Sequence, residues 1–402
     1  MADLLWSQTV SEAKAALEFD ARWGRLMTDI NVDAAAREAG AIPIPRRFFT
    51  RAGLLGLQAL PLPPSVGGEA LDPVSWSLAL ERIGYLCQDS GFPLVLGFRA
   101  IIAQALFETG RPDVIERYVK PVARGTLGIA MAYSEDADAF SFRTTLRRTA
   151  AGYLLAGHKD FMTGGLQADV ILTYARTEDD DMVACLVHKD DPGVHVTPLA
   201  PVGTRTSGPA ALDLHDVPLP EERIVASVDG LSHAQRLLNA RRLTVSCAPV
   251  GRARALVELC VARLNTTVRH GQKLGEFPNV QGALGRMYIS VEAARAMLYR
   301  AAQRVADGEA DPLFDSLVSA AKNFIAEQVR SVLDETTRVL GGYFYYGDPY
   351  FGTCMRDFAG LVAVAGTQDI LEVNLGSLVR THTPPRVGSQ HDNESKKEGP
   401  LP

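Results

Sequence analysis

The fold is decided by the stretch Gly152-Tyr-Leu-Leu-Ala-Gly-His-Lys-Asp-Phe-Met-Thr-Gly-Gly165, where a strand pattern meets several glycines. We predict a strand, a tight turn at the Ala156-Gly157 pair and a second strand that ends in paired glycines. Glycines at the end of a strand let a backbone or a flat ligand approach closely. Phe161 and Thr163 are two positions apart, so one continuous strand would place an aromatic ring and a hydroxyl on the same face. This local pattern fits a core aromatic beside a surface threonine as well as it fits a ligand-binding face.

Helical patterns dominate the first part of the chain. Residues 11–20 contain strong helix formers with amphipathic spacing. Asp72 and Pro73 are the residue types favoured at a helix cap and at a first helical position. The run from Phe98 to Phe107 is almost wholly apolar, which indicates a buried helix. We predict an N-terminal helical domain over residues 1–120.

Short strand patterns replace the helical ones after about Gly125. The runs 170–175 and 182–187 are rich in β-branched and apolar residues, and an acidic turn at 178–181 joins them. Residues 211–220 alternate between apolar and polar positions and then stop at proline. We predict a small antiparallel β domain over residues 121–228.

Helical spacing returns after Ser232 and persists to about Val379. The predicted helices cover about Arg236 to Arg269, Asn279 to Gly308, Asp315 to Leu340 and the segment that follows Gly366. Long helices joined by short loops predict a four-helix bundle, here over residues 229–385. The remaining segment, 386–402, is polar and is predicted to be disordered.

Composition excludes several classes of function. The chain has 402 residues, of which 47% are hydrophobic and 22% charged, as in a soluble protein with more than one core. The net charge of -6 gives no electrostatic reason to bind nucleic acid. No signal peptide or membrane span is expected. The five cysteines are scattered and the eight histidines dispersed, which favours reduced thiols, no metal site and a cytoplasmic protein.

The opening stretch resembles the flavin-contacting strand of the acyl-CoA dehydrogenase superfamily, whose usual form is Gly-x-Lys-x-Trp-Ile-Thr-Asn-Gly. Phe161 stands where tryptophan is usual, and Gly164 stands where asparagine is usual. Other segments resemble the family in the same order: Val66-Gly-Gly68, Tyr118-Val-Lys-Pro-Val-Ala-Arg-Gly-Thr126, Gly203-x-Arg205 with Val217-x-x-Pro220, Gly271-Gln-Lys-Leu-Gly-Glu-Phe-Pro-Asn-Val-Gln281, and Gly341-Gly-Tyr343 with Arg356-Asp357. The resemblance implies an α+β protein with the acyl-CoA dehydrogenase fold: an N-terminal helical domain, a middle antiparallel β domain and a C-terminal four-helix bundle.

The resemblance also implies where a catalytic base should stand. Most members place a glutamate two residues before the threonine of a Tyr-Glu-Gly-Thr motif, and Ala365 occupies that position here. A minority carries the glutamate on the first long helix of the bundle, at the position of Arg241. A methyl group cannot take a proton, and an arginine stays protonated at working pH. The catalytic residue is therefore unknown, because both family positions lack a carboxylate.

FAD is the cofactor that the resemblance implies. The residues expected to bind it are Ser134, Phe161, Thr163, Arg269, Arg338, Gly341, Gly342 and Thr367. Arginines suit the FAD pyrophosphate because the guanidinium group makes bidentate hydrogen bonds. The residues expected to line the substrate pocket are Tyr133, Glu135, Arg241, Phe344, Tyr345 and Ala365.

The missing base leaves several functions open. The first is an FAD-dependent oxidoreductase of specialised metabolism, such as antibiotic biosynthesis, that oxygenates or atypically dehydrogenates an acyl or polyketide-like molecule. Within it, Asp357 or one of Tyr343, Tyr345 and Tyr346 could replace the base, although Asp357 is expected to be structural and paired with Arg356 or a helix end. The second is a non-redox cyclase or rearrangement enzyme on the same fold, and the third is a non-catalytic partner of an active homologue. A small-molecule substrate, with a CoA or carrier-protein thioester as one option, and a homodimer or homotetramer are expected.

Overall fold

The N-terminal region is a layer of helices packed around one apolar core. The structure, a computed structural model, describes residues 10–136, 142–150, 152–226 and 229–382, so the predicted disordered tail lies outside the described residues. The helices of this region are α1 (Val10–Asn31), α2 (Ala34–Gly40), α3 (Arg46–Leu54), α4 (Pro73–Leu86), α5 (Gly91–Glu108), α6 (Pro112–Val114) and α7 (Lys120–Ala123). A single π-helical turn, Ile115–Val119, connects α6 to α7.

Local chemistry explains two of these helices. Helix α4 begins at Pro73, and the Asp72 carboxylate accepts hydrogen bonds from the backbone N–H of Val74 and Ser75 at 2.9 and 3.0 Å. The predicted cap is therefore confirmed. Helix α5 is long and apolar enough to cross a membrane, but 72% of that window is buried inside the protein, as in the core helix of a soluble fold.

An eight-stranded sheet follows in the described part of the chain. Its strands are β1 (Ile129–Ala132), β2 (Thr145–Thr149), β3 (Gly152–Met162), β4 (Val170–Thr177), β5 (Met182–His188), β6 (Val194–Pro198), β7 (Ala210–Leu219) and β8 (Ile224–Ala226). The order is β6-β7-β3-β2-β4-β5-β8, with β1 also paired to β4. The sheet is mixed: most strand pairs are antiparallel, as predicted, but β1 and β2 both run parallel to β4.

Strand β3 contains the stretch that opened the sequence analysis. The predicted turn at Ala156-Gly157 is wrong: β3 is one strand whose register against β7 shifts between Leu155 and Gly157. A bulge of this kind suits a glycine, since a Cβ at Gly157 would lie 2.4 Å from the Thr144 hydroxyl oxygen. The strand ends at Met162, so Thr163 lies in the following turn and does not share a strand face with Phe161.

The C-terminal region is the predicted bundle of long helices. They are α8 (Gly230–Thr266), α9 (Pro278–Ala306), α10 (Ser316–Leu340) and α13 (Gln368–His382), and a short hairpin of β9 (Val268–Arg269) and β10 (Gln272–Lys273) separates α8 from α9. Two shorter helices, α11 (Gly342–Tyr346) and α12 (Pro349–Gly360), lie between α10 and α13. Asp315 caps α10 by accepting a hydrogen bond from the Val318 N–H at 2.9 Å.

Two hydrophobic cores hold these layers together. The larger one joins both helical regions to one face of the sheet, where Tyr133, Leu172 and Tyr174 belong to it. The smaller one lies on the other side of the sheet and includes Leu155 and Met162. The space between the sheet, α5 and α8 is therefore where all three parts of the chain meet.

Candidate active site

An exposed aromatic ring lies at the end of β3. Phe161 is 69% exposed and forms an antiparallel bridge with Ser134. The Asp160 N–H donates a hydrogen bond to the Ser134 carbonyl at 2.9 Å, which holds the two segments side by side. The exposed Ser134 and the half-buried Thr163 add hydroxyl groups next to the ring. This arrangement offers an apolar plate with hydrogen-bonding groups beside it, which suits a flat heterocycle.

A buried ion pair anchors the loop that carries Ser134. The Lys159 ammonium lies 2.5 Å from Glu135 Oε1, and the two side chains are 0% and 4% exposed. The Glu135 carboxylate also accepts hydrogen bonds from the backbone N–H of Arg143 and Thr144. Burial raises the pKa of Glu135, but the bonds from Lys159 and Thr144 outweigh it, so the pKa is lower than usual. The Glu135 carboxylate, which was predicted to line the substrate pocket, is thus hydrogen-bonded by Lys159 and two backbone N–H groups.

Aromatic side chains with unpaired polar atoms line the sheet face behind this loop. The Tyr133 ring contacts the Tyr174 ring edge-on at 5.4 Å, and its buried hydroxyl has no hydrogen-bond partner among the described residues. Burial raises the pKa of Tyr133 to about 12. The Tyr174 hydroxyl lies 2.9 Å from His233 Nδ1. Burial lowers the pKa of His233 to about 4, so this histidine is neutral at pH 7.

Cationic side chains hold the loop that contains Ala365. Ala365 is 7% exposed and has a left-handed backbone with φ 57°. Its carbonyl accepts a hydrogen bond from Arg242 Nε at 3.2 Å, and the Gly366 carbonyl accepts one from Lys322 Nζ at 2.9 Å. Burial, together with the charge of Arg242, lowers the pKa of Lys322 to about 8. The backbone at the position of the family's base is thus bonded to Arg242, and the next residue of the loop is bonded to Lys322.

Arg241 is the second position where the family can carry its base. It extends from α8 to the Phe98 ring of α5, with the guanidinium carbon 4.5 Å from the ring centroid. Its Nε is buried and has no hydrogen-bond partner among the described residues. Burial lowers the pKa of Arg241 to about 10, so the side chain remains charged at pH 7.

Asp357 is a structural residue. Its carboxylate lies 3.0 Å from Arg252 Nη1, with both side chains almost fully buried, and it also accepts hydrogen bonds from Ser90 and Thr204. The expected pairing with Arg356 is wrong, because Arg356 pairs with Glu38 of α2 instead. The carboxylate is thus engaged by a buried arginine and two further donors, which fits the structural role expected for it.

The predicted phosphate-binding residues lie beyond the C-terminal end of α8 and at the end of α10. Arg269 follows α8, roughly 25 residues or about 40 Å along the helix from Arg241. Its guanidinium bonds only to the Val268 carbonyl among the described residues. Arg338 pairs with Glu335 at 2.8 Å, and Gly341 and Gly342 lie exposed at the end of α10. The described hydrogen bonds and ion pairs of Arg269 and Arg338 are thus local and do not join them to Ser134, Phe161 or Thr163.

The remaining predicted site residues, Thr367, Phe344 and Tyr345, lie in different parts of the structure. Thr367 is exposed and follows Ala365 in its loop. Phe344 is buried in the bundle, where its ring packs against Phe351 with centroids 5.0 Å apart, so it is not placed in the pocket with Ala365. Tyr345 is 77% exposed on the surface of α11. The structure thus groups Tyr133 with Ser134 and leaves Phe344 and Tyr345 elsewhere.

A cavity of about 350 Å³ lies between α4, α5 and α8. Trp76, Gln104, Glu108 and His233 are among the residues that line it. Burial raises the pKa of Glu108 at its rim. Sequence reasoning missed His233, Arg242 and Lys322, since each is a single polar residue in a helix with no motif around it.

Three family models match the chain in order: Acyl-CoA dehydrogenase, N-terminal domain, over residues 26–126; the middle domain over 130–217; and the C-terminal domain over 228–377. The chain therefore belongs to the acyl-CoA dehydrogenase family and is an enzyme of the oxidoreductase class. The family cofactor is FAD, and the exposed Phe161 plate beside Ser134 and Thr163 fits its flavin ring.

The chain is similar to several characterised proteins. Cyclohex-1-ene-1-carbonyl-CoA dehydrogenase of Geobacter metallireducens is 27% identical over 341 residues, which cover 82% of this chain and 88% of that protein. The crystal structure of the prolyl acyl carrier protein oxidase AnaB superposes with a TM-score of 0.86 at 22% identity, covering 93% of this chain and all (100%) of that one. The FAD complex of PigA superposes with a TM-score of 0.83 at 21% identity and covers 93% and 98%. At these identities the structures establish the fold alone.

Proposed function

We propose that this protein is an FAD-dependent oxidoreductase of specialised metabolism that acts on an acyl thioester without a carboxylate base. The observation that carries the proposal is the environment of the two family base positions. Ala365 stands at one, in a loop whose carbonyls are bonded by Arg242 and Lys322, and Arg241 stands at the other. No carboxylate is among the described groups that bond this loop.

The cationic environment favours a reaction in which negative charge is stabilised. Arg241, Arg242 and Lys322 offer positive charge in a poorly solvated space, where electrostatic effects are stronger than in water. Bound FAD supplies hydride acceptance or, once reduced, activation of oxygen. Oxygenation of the substrate needs no carboxylate from the protein and is therefore the reaction we favour, with an atypical dehydrogenation as the other outcome of the test.

We propose that the acyl group of the substrate is bound as a thioester to CoA or to a carrier protein. The family relatives include a CoA thioester dehydrogenase and a fold neighbour that is an oxidase of a carrier-protein-bound prolyl group, so either carrier is compatible with the fold. The cavity of about 350 Å³ beside α5 and α8 offers room for a small acyl group. The non-redox alternative is less well supported, because the exposed Phe161 plate fits the family cofactor.

The active form is proposed to be a cytoplasmic homodimer or homotetramer. The bundle exposes large apolar side chains, among them Ile289 at 66%, Val373 at 66% and Val379 at 65%, which favours their burial against another copy. The family resemblance also implies that a second copy supplies Arg269 and Arg338 to the cofactor site of its neighbour. The five cysteines are all free and buried, as suits a reducing compartment. Light scattering coupled to gel filtration measures the state directly.

Substitution of Ala365 by glutamate tests the reaction type. A positioned general base contributes about 10²- to 10⁴-fold, so Ala365→Glu should raise dehydrogenation of butyryl-CoA, measured with an artificial electron acceptor, at least tenfold above wild type. The matched control is Ala363→Glu, which places a carboxylate at an exposed position of the same loop and should change nothing.

Oxygen consumption provides the second measurement. Wild-type protein supplied with FAD and a reductant should consume oxygen in a way that depends on an acyl thioester. Dehydrogenation of acyl-CoA by the wild type at a rate equal to that of Ala365→Glu would show that the protein has a base elsewhere, and the proposal would be wrong.

A further inference from the structure

Two side chains of the cavity between α4, α5 and α8 carry a buried nitrogen without a partner. Trp76 of α4 and His233 of α8 both line this cavity. Trp76 Nε1 and His233 Nε2 are shielded from bulk water and have no hydrogen-bond partner among the residues that the structure describes. A buried polar group that lacks a partner is costly, so such a group indicates that something outside the chain completes the site.

Trp76 faces the cavity together with its neighbours on α4. Pro73 and Leu80, three positions before and four positions after Trp76, line the same cavity. Residues three and four positions apart share one face of a helix. The indole ring is 7% exposed and therefore belongs to the buried wall that this face of α4 presents to the cavity.

Tyr174 fixes the orientation of the His233 ring. Its hydroxyl lies 2.9 Å from Nδ1, and Tyr174 itself does not line the cavity, so the Nε2 edge of the ring is the one on the cavity side. Burial raises the pKa of Tyr174, so its hydroxyl keeps its proton, and Nδ1 is the acceptor that the described residues offer to it. Donation of that proton to Nδ1 leaves the proton of the neutral imidazole on Nε2.

Both unpaired groups are thus neutral N–H donors, and they lie among apolar side chains. The charged residues of the cavity, Glu108 and Arg236, are exposed. The apolar side chains of the cavity include Leu71, Leu80, Ile101, Leu237, Leu243 and Val305. Neutral donors in such surroundings match a neutral acceptor, because an ionised group would be poorly solvated there. An oxygen on an otherwise apolar ligand has this chemistry.

We propose that Trp76 and His233 bind a neutral oxygen, a keto or hydroxyl group, on the acyl chain of the substrate, so that the substrate is an oxygenated acyl thioester. This inference rests on the proposed function and adds the class of acyl group to it. A saturated hydrocarbon chain of the same length would fill the cavity but leave both N–H groups unpaired. The site therefore selects acyl chains by an oxygen, in addition to size.

Calorimetric titration of the FAD-loaded protein tests the proposal without turnover. The probes are 4-oxopentanoyl- and 4-hydroxypentanoyl-CoA against pentanoyl-CoA, and 5-oxohexanoyl- and 5-hydroxyhexanoyl-CoA against hexanoyl-CoA, with the corresponding free acids as a second series. We expect the best oxygenated probe to bind about 3- to 10-fold more tightly than its hydrocarbon counterpart for each hydrogen bond that it makes. The keto and hydroxyl arms identify which oxygen the site prefers.

The variants remove one donor at a time. Trp76→Phe deletes the indole N–H and keeps an aromatic ring, so the preference for an oxygenated probe should fall. His233→Leu should also lower it, and His233→Gln, which keeps an amide nitrogen at a similar distance along the side chain, should retain part of it. Trp23→Phe is the matched control, because the Trp23 N–H already donates to the Leu55 carbonyl at 3.0 Å and Trp23 does not line this cavity.

The outcomes separate this inference from the proposed function. A preference that falls in Trp76→Phe or His233→Leu and persists in Trp23→Phe supports the inference, even if no redox reaction is found. Equal affinity for oxygenated and hydrocarbon probes would mean that water completes the site, and it overturns the inference while leaving the oxidoreductase proposal standing. A preference that survives in both Trp76→Phe and His233→Leu, or the absence of binding by every probe, overturns it as well.

Discussion

Replacement of Lys159 by methionine should destabilise the β domain strongly. The substitution leaves the Glu135 carboxylate buried, with its two backbone donors but without its cation. Removing one partner of a buried ion pair costs about 3–5 kcal/mol, because the remaining charge is uncompensated. Contact between the Lys159 ammonium and the Phe142 ring, at 4.0 Å from the centroid, adds up to about 1 kcal/mol. We expect the free energy of unfolding to fall by about 3–6 kcal/mol.

The pH dependence of this loss follows from the lowered pKa of Glu135. In the folded wild type its pKa lies below the ordinary value of 4.5, so the pair contributes stability that is present above that value and is lost as the pH falls through the lowered pKa. The difference between wild type and Lys159→Met should therefore be full at pH 7 and shrink in acid. Urea unfolding followed by circular dichroism at several pH values measures it.

A double variant provides the control. Glu135→Gln in the Lys159→Met background removes the orphaned charge but keeps an oxygen for the backbone donors, so most of the stability should return. FAD content should change in parallel, since the same loop holds Ser134 against Phe161. If Lys159→Met unfolds at the same urea concentration as wild type, or if the double variant is no more stable than the single one, the pair does not anchor the loop.

Two further predictions concern the cofactor and the loop around Ala365. Arg269→Ala and Arg338→Ala should each lower the FAD content of the purified protein, measured by absorbance after denaturation, and unchanged content in both would refute their assignment to the pyrophosphate. Burial lowers the pKa of Lys322 from 10.5 to about 8, so between these pH values the unfolded chain binds a proton that the folded chain does not. The stability of the wild type should therefore rise with pH across this range, and Lys322→Met should abolish that rise. Identical slopes of stability against pH above pH 8 in wild type and Lys322→Met would contradict this.

Sequence reasoning succeeded where local chemistry and long-range packing agree. Helix α10 begins at Ser316 after the Asp315 cap and ends at Leu340 before a glycine pair, as its apolar spacing and flanking residues predict. The order of helices, strands and helices is strong evidence for the family because each segment is long and distinctive. The FAD prediction followed from that order and is confirmed by family membership.

The same reasoning failed where a local signal has two structural meanings. The Ala156-Gly157 pair is typical of a tight turn, but here the glycine lies at a bulge against β7, where a Cβ would collide with Thr144. The two parallel pairings were also missed, since β1 and β4 are continuous buried runs whose composition does not reveal strand direction. Both errors arise because pairing partners are set by the whole sheet and not by the strand itself.

The site was only partly accessible from sequence. Ser134 and Phe161 were predicted together because a family motif contains each of them, and the structure places them side by side. Glu135 was expected in the substrate pocket, and its pairing with Lys159 could not be seen before β3 was positioned. Lys322 gave no signal at all, because its role depends on two backbone carbonyls of a loop some 40 residues away.

Strands β1 and β2 share one edge of β4, and this has a consequence for how such an enzyme diversifies. Ala132 pairs with Thr173, and Thr145 pairs with Arg176, so twelve residues lie between the paired ends on one side and only two on the partner strand. Pairing with β4 thus fixes both ends of the inserted segment, independently of the length of its middle part. Residues between Glu135 and Phe142 can be added or deleted while the Ser134–Phe161 bridge and the Glu135–Lys159 ion pair keep both ends of the insert in place. A library that varies the length of this stretch would change what the enzyme recognises while the strand pairing stays the same.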